Sequence, residues 1–248
     1  MAKIMIVTGG SRGIGAATAL LAAQRGYSVC VNYLHNRKAA ESVVRDIEAT
    51  GRQAIAVAAD VALEADVMRL FETTDQQMGH VSALVNNAGI LETQTRLEGI
   101  DAARLSRVFA TNVIGTFMCS REAVRRMSTK HGGQGGGIVN VSSRASQIGS
   151  PGEYIDYAAS KGAVDSLTMG LAKEVAEEGI RVNAVRPGFI YTEMHASGGE
   201  PDRVERVKAF APMKRGGTAH EVANAILWLL SEEASYTTGA FIDVSGGR

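Results

Sequence analysis

The 248-residue sequence predicts an α/β protein, a single domain on a doubly wound, seven-stranded parallel sheet with helices on both faces. Three observations lead there. Short apolar runs rich in β-branched residues alternate with helix-length segments along the whole chain. A glycine-rich turn, Thr8-Gly9-Gly10-Ser11-Arg12-Gly13-Ile14-Gly15, separates the first run from the first helix. No repeat, linker or sustained charge run divides the pattern, and 45% hydrophobic residues supply one large core.

In order, residues 3–7 form a strand ending at Thr8-Gly9-Gly10, and 16–25 a helix closed by Gly26. A strand at 27–32 precedes a helix at 39–50. The next pairs are a strand at 54–58 with a helix at 64–78, and a strand at 83–85 with a long helix over 101–117. A separate helix follows at 120–130, then a glycine-rich surface loop at 132–137. The strand at 138–141 leads to a helix over 157–178, and the strand at 181–185 to helices at 201–210 and 219–231. The last strand is 240–244.

Charge narrows the function classes. Lys plus Arg and Asp plus Glu each number 26, which argues against nucleic acid or an anionic membrane as the main partner. Cys30 and Cys119 sit in apolar stretches and read as buried, reduced thiols. The five histidines lack ligand spacing, so no metal is expected. There is no signal-peptide pattern and no apolar run near the ~20 residues of a membrane span, so the expected location is cytoplasmic.

The glycine turn reads as a nucleotide site. Gly9 and Gly13 permit tight backbone geometry near a phosphate, Gly15 lets the helix pack on the sheet, and the helix N-terminus offers free N–H groups. The second strand ends Val31-Asn32-Tyr33, with no carboxylate for a ribose 2′-hydroxyl. Arg12, Arg37 and Lys38 supply cations for a 2′-phosphate, so NADP(H) is expected over NAD(H). The alternative is that Arg37 and Lys38 are solvated charges at a helix start. Asp60-Val61 ends the third strand, where the carboxylate can meet an adenine amino group or cap the next helix. Asn86-Asn87-Ala88-Gly89 ends the fourth and can bind the cofactor or tie strands together.

Tyr157 and Lys161 lie four residues apart, hence on one helix face. A nearby ammonium favours phenolate, which suits proton transfer in an alcohol–carbonyl interconversion.

With Asn112, Ser143 and Pro187-Gly188, these motifs resemble, in order and spacing, the short-chain dehydrogenases/reductases along the whole chain. The resemblance is nearest to 3-oxoacyl-carrier-protein reductases and glucose dehydrogenase-like members. It implies a Rossmann fold, NAD(P)(H) and commonly a homotetramer. It makes Tyr157 the general acid/base, Lys161 the group that lowers its pKa and holds the nicotinamide ribose, and Ser143 the residue orienting the substrate oxygen. It gives Asn112 a water in a proton relay, and Ile190 and Thr192 the nicotinamide carboxamide. The cofactor contacts so assembled are Gly9, Ser11, Arg12, Gly13, Ile14, Gly15, Asn32, Tyr33, Arg37, Asp60, Val61, Asn87, Ala88, Gly89, Tyr157, Lys161, Pro187, Gly188, Ile190 and Thr192.

One departure stands out. Many members place the serine thirteen residues before the tyrosine, which here is Arg144, not a hydroxyl. Ser143 is the reading that keeps the strand context, with one residue inserted in the loop 147–156; Ser142 is the alternative. A substrate lid is expected at 193–212. Substrate-wall candidates are Ser143, Arg144, Gln147, Glu153, Tyr154, Phe189, Met194, His195 and Phe210. They suit a small oxo or hydroxy compound, a 3-oxoacyl thioester or similar. A sugar or polyol is the alternative substrate, and a non-catalytic NADP-binding sensor the rival class. Arg121, Arg125, Arg126 and Lys130 are either a carrier-docking patch or a solvated face. The apolar stripes Leu105-Val108-Phe109-Val113-Phe117 and Ala163-Leu167-Leu171-Val175 are core faces that, in the family, also pair subunits.

Overall fold

Apolar residues on both sides of successive strands demand cover on both faces, and the computed structural model, which describes residues 3–248, supplies it. Seven parallel strands, β1 (Lys3–Val7), β2 (Tyr27–Tyr33), β3 (Ala54–Ala58), β4 (Ala83–Asn86), β5 (Gly136–Val141), β6 (Ile180–Pro187) and β7 (Phe241–Val244), lie in the order β3-β2-β1-β4-β5-β6-β7. Alternation along each strand sorts the core into two layers. Met5, Val7, Val29 and Val31 face helices α1 (Gly13–Gln24), α2 (Arg37–Glu48) and α10 (Ala219–Leu229). Ile6, Cys30, Leu84 and Ile138 face α3 (Glu64–Gln77), α5 (Gly115–Met127) and α7 (Ile155–Glu174). Both cysteines are free and buried.

From β1 the chain winds outward to β2 and β3, then returns to β1's other side with β4. The loops after β1 and β4 therefore leave in opposite directions, and a crevice opens between them at the C-terminal ends of the strands. The register Val7↔Val31 and Val7↔Val85 puts those ends level.

Three elements differ from the sequence expectation. Helix α1 begins at Gly13, not residue 16, because the bond from Ala16 N to Arg12 O closes its first turn, which has no side-chain cap. The helices expected at 101–117 and 120–130 are one rod: α4 (Ala102–Phe109), a π-helical turn (Ala110–Ile114) and α5. No proline or turn sequence interrupts it, and the single extra residue is taken up in the π turn. Helix α7 starts at Ile155 and stops at Glu174, with a 3-10 turn at Ala176–Glu178 completing the segment. Between β6 and α10, short helices α8 (Met194–Ser197) and α9 (Arg203–Val207) occupy the expected lid. The short helix α6 (Ala145–Ile148) follows β5. Among the described residues, no helix is long and apolar enough to cross a membrane.

Candidate active site

The crevice holds two cavities. The first, about 380 Å³, is lined by the glycine turn (Gly9, Ser11, Arg12, Gly13, Ile14), by Asn32 and Tyr33, by Asp60 and Val61, and by Asn87, Ala88 and Gly89. The glycine turn owes its shape to its sequence. Gly9 sits at φ +60°, and a Cβ on Gly15 would lie 2.3 Å from the Gly9 carbonyl oxygen and 2.6 Å from Asn87 Nδ2. Asn87 Nδ2 donates to the carbonyls of Thr8 and Gly9, each at 3.0 Å, and Asn86 Nδ2 donates to Asn140 Oδ1 at 2.8 Å. The paired asparagines thus tie β1, β4 and β5 together where the cavity opens.

Two expected cofactor contacts, Arg37 and Gly15, lie outside the lining, and a third, Asn32, lines it with its amide engaged by the backbone. The Asn32 amide is already engaged: Oδ1 accepts from Gly9 N (3.1 Å), and Nδ2 donates to the carbonyls of Val57 (3.3 Å) and Ala59 (3.0 Å). It lines the cavity and braces the turn. Arg37 lies outside the lining, its Nε on Glu41 Oε1 at 2.7 Å one helical turn away, and Lys38 is likewise outside; His35 and Asn36 stand there instead. Gly15 packs behind the wall. Asp60 lines the cavity but does not cap α3, since its Oδ1 accepts from Ala62 N within the preceding turn.

The second cavity, about 460 Å³, adjoins the first across Ile14, Asn87, Leu91, Thr192 and Met194. Its walls include Ser143, Tyr157 and Lys161 together with Pro187, Gly188 and Ile190. Strand β5 delivers the two serines to opposite sides. Ser142 Oγ is buried, donating to Asp165 Oδ1 at 2.6 Å, whereas Ser143, whose Oγ accepts from Ala145 N at 3.1 Å, lines the cavity close enough to the Tyr157 phenol to act on its charge. The geometry therefore favours Ser143 as the serine that meets a substrate.

Lys161 is 4% exposed, its Nζ donating to Val141 O at 2.8 Å and lying 5.6 Å from the Tyr157 ring centre. Burial pushes the Tyr157 phenol up to about 12, with the nearby Ser143 hydroxyl opposing it. Burial also pulls Lys161 down to about 8, against the pull of the Asp165 carboxylate. The shift runs opposite to the direction expected from the lysine four residues on, because burial dominates it and Lys161 Nζ is engaged by a strand carbonyl. Asn112 sits in the π turn, fully buried, with Oδ1 accepting from Ile90 N (2.8 Å) and Nδ2 donating to Ile90 O (3.1 Å) and Ser160 Oγ (3.1 Å). Its side chain positions the β4–α4 loop next to Lys161; it lines neither cavity.

Of the substrate-wall candidates, Arg144, Glu153, Tyr154, Phe189, Met194, His195 and Phe210 line the second cavity. Gln147 does not: it is exposed, and its Oε1 accepts from Arg144. Burial pushes the His195 imidazole down, and its Nε2 meets Ile190 O at 3.0 Å. Glu153 and Glu200 bond Arg203 and Arg206, tying the expected lid segment to the loop before α7. Leu91, Ile148, Arg203, Arg206 and Arg248 also line this cavity and were missed, having no local pattern to mark them. Asp165 had one available signal, its position one turn beyond Lys161.

A family model described as enoyl-(acyl carrier protein) reductase matches residues 9–248. The chain is 62% identical to the uncharacterized oxidoreductase YgfF of Escherichia coli, covering 99% of both chains. It is 40% identical to a 3-oxoacyl-[acyl-carrier-protein] reductase of Synechocystis, over 99% of this chain and 96% of that one. The crystal structure of a 3-ketoacyl-(acyl-carrier-protein) reductase from Brucella melitensis, complexed with NADH, superposes with a TM-score of 0.91 at 32% identity, over 99% and 98% of the two chains. With this match in sequence and fold over nearly its whole length, the chain belongs to the short-chain dehydrogenase/reductase family of nicotinamide-dependent oxidoreductases.

Proposed function

We propose that the protein interconverts a carbonyl and a secondary alcohol using NADP(H), with Tyr157 as general acid/base. The observation carrying this reading is the convergence of Ser143, Tyr157 and Lys161 on one wall of the second cavity, beside its junction with the first. The first cavity suits a dinucleotide. Its turn is bare of side chains at Gly9 and Gly13, and α1 begins there without a side-chain cap, leaving N–H groups for a pyrophosphate. Asp60 and Val61 would hold the adenine, Ile190 and Thr192 the carboxamide, and Lys161 the nicotinamide ribose. When bound, the cofactor supplies or accepts the hydride.

The chain's own residues handle the oxygen and its proton. Ser143 donates to the substrate oxygen and fixes its direction. Tyr157, kept protonated by burial, donates its phenolic proton to the oxygen in reduction and takes one back in oxidation. NADP(H) is favoured because Arg12 lines the first cavity and Asn32 and Tyr33 bring no carboxylate to it; with Arg37 on Glu41, Arg12 carries that preference. The substrate is a small oxo or hydroxy compound, a 3-oxoacyl thioester or similar, in line with the relatives' names. Exposed Leu105, Ile114, Phe117 and Met169 on the α4–α5 rod and α7 support self-association as a homotetramer.

The test is NADPH consumption over acetoacetyl thioesters and NADP+ reduction over aldoses and polyols. Tyr157→Phe should lower kcat by about 10²–10⁴-fold with NADPH binding retained. Arg12→Ala should raise KM for NADPH and not for NADH. Unimpaired turnover by Tyr157→Phe, or a wild-type preference for NADH, overturns the corresponding part.

A further inference from the structure

Four arginines line the second cavity, and three are neutralised by carboxylates. Arg144 Nη1 meets Asp243 Oδ2 at 2.6 Å; Arg203 and Arg206 share Glu153 and Glu200. Arg248 has no Asp or Glu side chain within ion-pair distance among the described residues. Its guanidinium stacks on the Phe189 ring, 4.3 Å from the centre, and its main-chain oxygen accepts from Ser245 Oγ at 3.0 Å. An arginine seated on an aromatic face keeps its N–H edge free for a planar, two-oxygen partner.

A second polar group in the same wall lacks a partner. Tyr154 is 3% exposed, lines the cavity, and its hydroxyl meets no acceptor or donor among the described residues. An unpaired buried phenol destabilises the fold unless a ligand satisfies it. The two groups belong to one wall. Arg203 lies over the Tyr154 ring at 4.9 Å, and Arg203 and Glu153 both act on the charge of Arg248, whose guanidinium burial makes harder to keep charged.

We infer that the substrate of this site carries a carboxylate, received by the Arg248 guanidinium with the Tyr154 hydroxyl as second donor; this rests on the carbonyl–alcohol reading above. The substrate class narrows to an oxo acid or its hydroxy acid. A monoanion fits better than a phosphate, because a dianion would face Glu153, whose carboxyl Arg203 and Arg206 hold in its charged form. A neutral thioester would leave Arg248 unpaired.

The experiment compares acid and ester pairs on the full chain: 4-oxopentanoate against its methyl ester, and 3-oxobutanoate against its methyl ester, with NADPH. The wild type should favour the acid in kcat/KM by tenfold or more. Arg248→Gln should reduce that acid-to-ester ratio at least tenfold, Arg248→Lys less, and Tyr154→Phe about threefold. Calorimetry of 4-oxopentanoate with the NADP+ complex, which cannot reduce it, should show a Kd at least tenfold weaker in Arg248→Gln. Equal acid and ester efficiency in the wild type, or equal acid binding by wild type and Arg248→Gln, overturns the carboxylate site. Acid binding that depends on Arg248, in a chain that turns over no carbonyl compound, instead overturns the oxidoreductase chemistry proposed above and leaves the carboxylate site standing.

Discussion

Gly15→Ala adds one methyl group at a place with no room for it. The new Cβ would stand 2.3 Å from the Gly9 carbonyl oxygen, 2.6 Å from Asn87 Nδ2 and 3.0 Å from Gly10 Cα. A carbon–oxygen contact relaxes only near about 3.3 Å, so the start of α1 and the glycine turn must separate by about 1 Å. Two of the three atoms are backbone, so no rotamer change relieves the clash. Overpacking of this kind costs about 1–3 kcal/mol. Breaking the Asn87 bonds to Thr8 and Gly9 costs about 1 kcal/mol each, while alanine returns up to about 1 kcal/mol of helix preference. The net loss is about 2–5 kcal/mol, which lowers Tm by roughly 4–20 °C in a chain of this length. Calorimetric melting reads the first effect, and NADPH fluorescence titration a second, a Kd raised at least tenfold because the turn has moved. A Gly15→Ala protein that melts with the wild type and binds NADPH as tightly would refute the close-approach reasoning.

Two further outcomes follow from buried carboxylates. Asp165 accepts from Ser142 and from Arg186 Nη2 (3.0 Å), and its charge holds the Lys161 pKa up against burial. Activity that needs the Lys161 ammonium falls as pH rises through about 8; Asp165→Asn removes the supporting charge and moves that limb to lower pH in kcat/KM profiles. Asp156 and Arg104 form a two-pronged pair (2.7 and 3.2 Å) with side chains 1% and 9% exposed. Asp156→Ala strands the guanidinium and should cost about 3–5 kcal/mol in urea unfolding, most of it recovered by adding Arg104→Met.

What the sequence made readable was whatever is local. The seven strands are short, mostly apolar runs, and the turn between β1 and α1 carries its own glycines. Tyr157 and Lys161 share a helix face by spacing alone. Arg37 misled because charge near a cavity is visible in sequence while its partner's competition is not; Glu41, one turn on, claims it. Gln147 misled because residue order in a loop does not fix side-chain direction. Arg248 and Phe189 meet across 59 positions of sequence separation (248 − 189), and no window of residues reveals that contact. The phenol's upward shift was also invisible, since burial is a property of the folded chain.

The loop from Arg144 to Tyr154 joins two rigid elements whose ends are fixed independently. Strand β5 holds Ser143 and helix α7 holds Tyr157, while left-handed residues Gly149 (φ +74°), Ser150 (φ +45°) and Gly152 (φ +74°) coil the surplus chain between them. Residue count along this stretch is therefore uncoupled from distance across it, and an added position can leave Ser143 and Tyr157 together on the wall of the second cavity. The same stretch contributes Ile148, Ser150, Pro151 and Tyr154 to the substrate wall. On the proposed reading, what the site accepts can change in a segment that does not place the proton donor, and a library confined to residues 147–154 should alter selectivity while leaving Ser143 and Tyr157 in position.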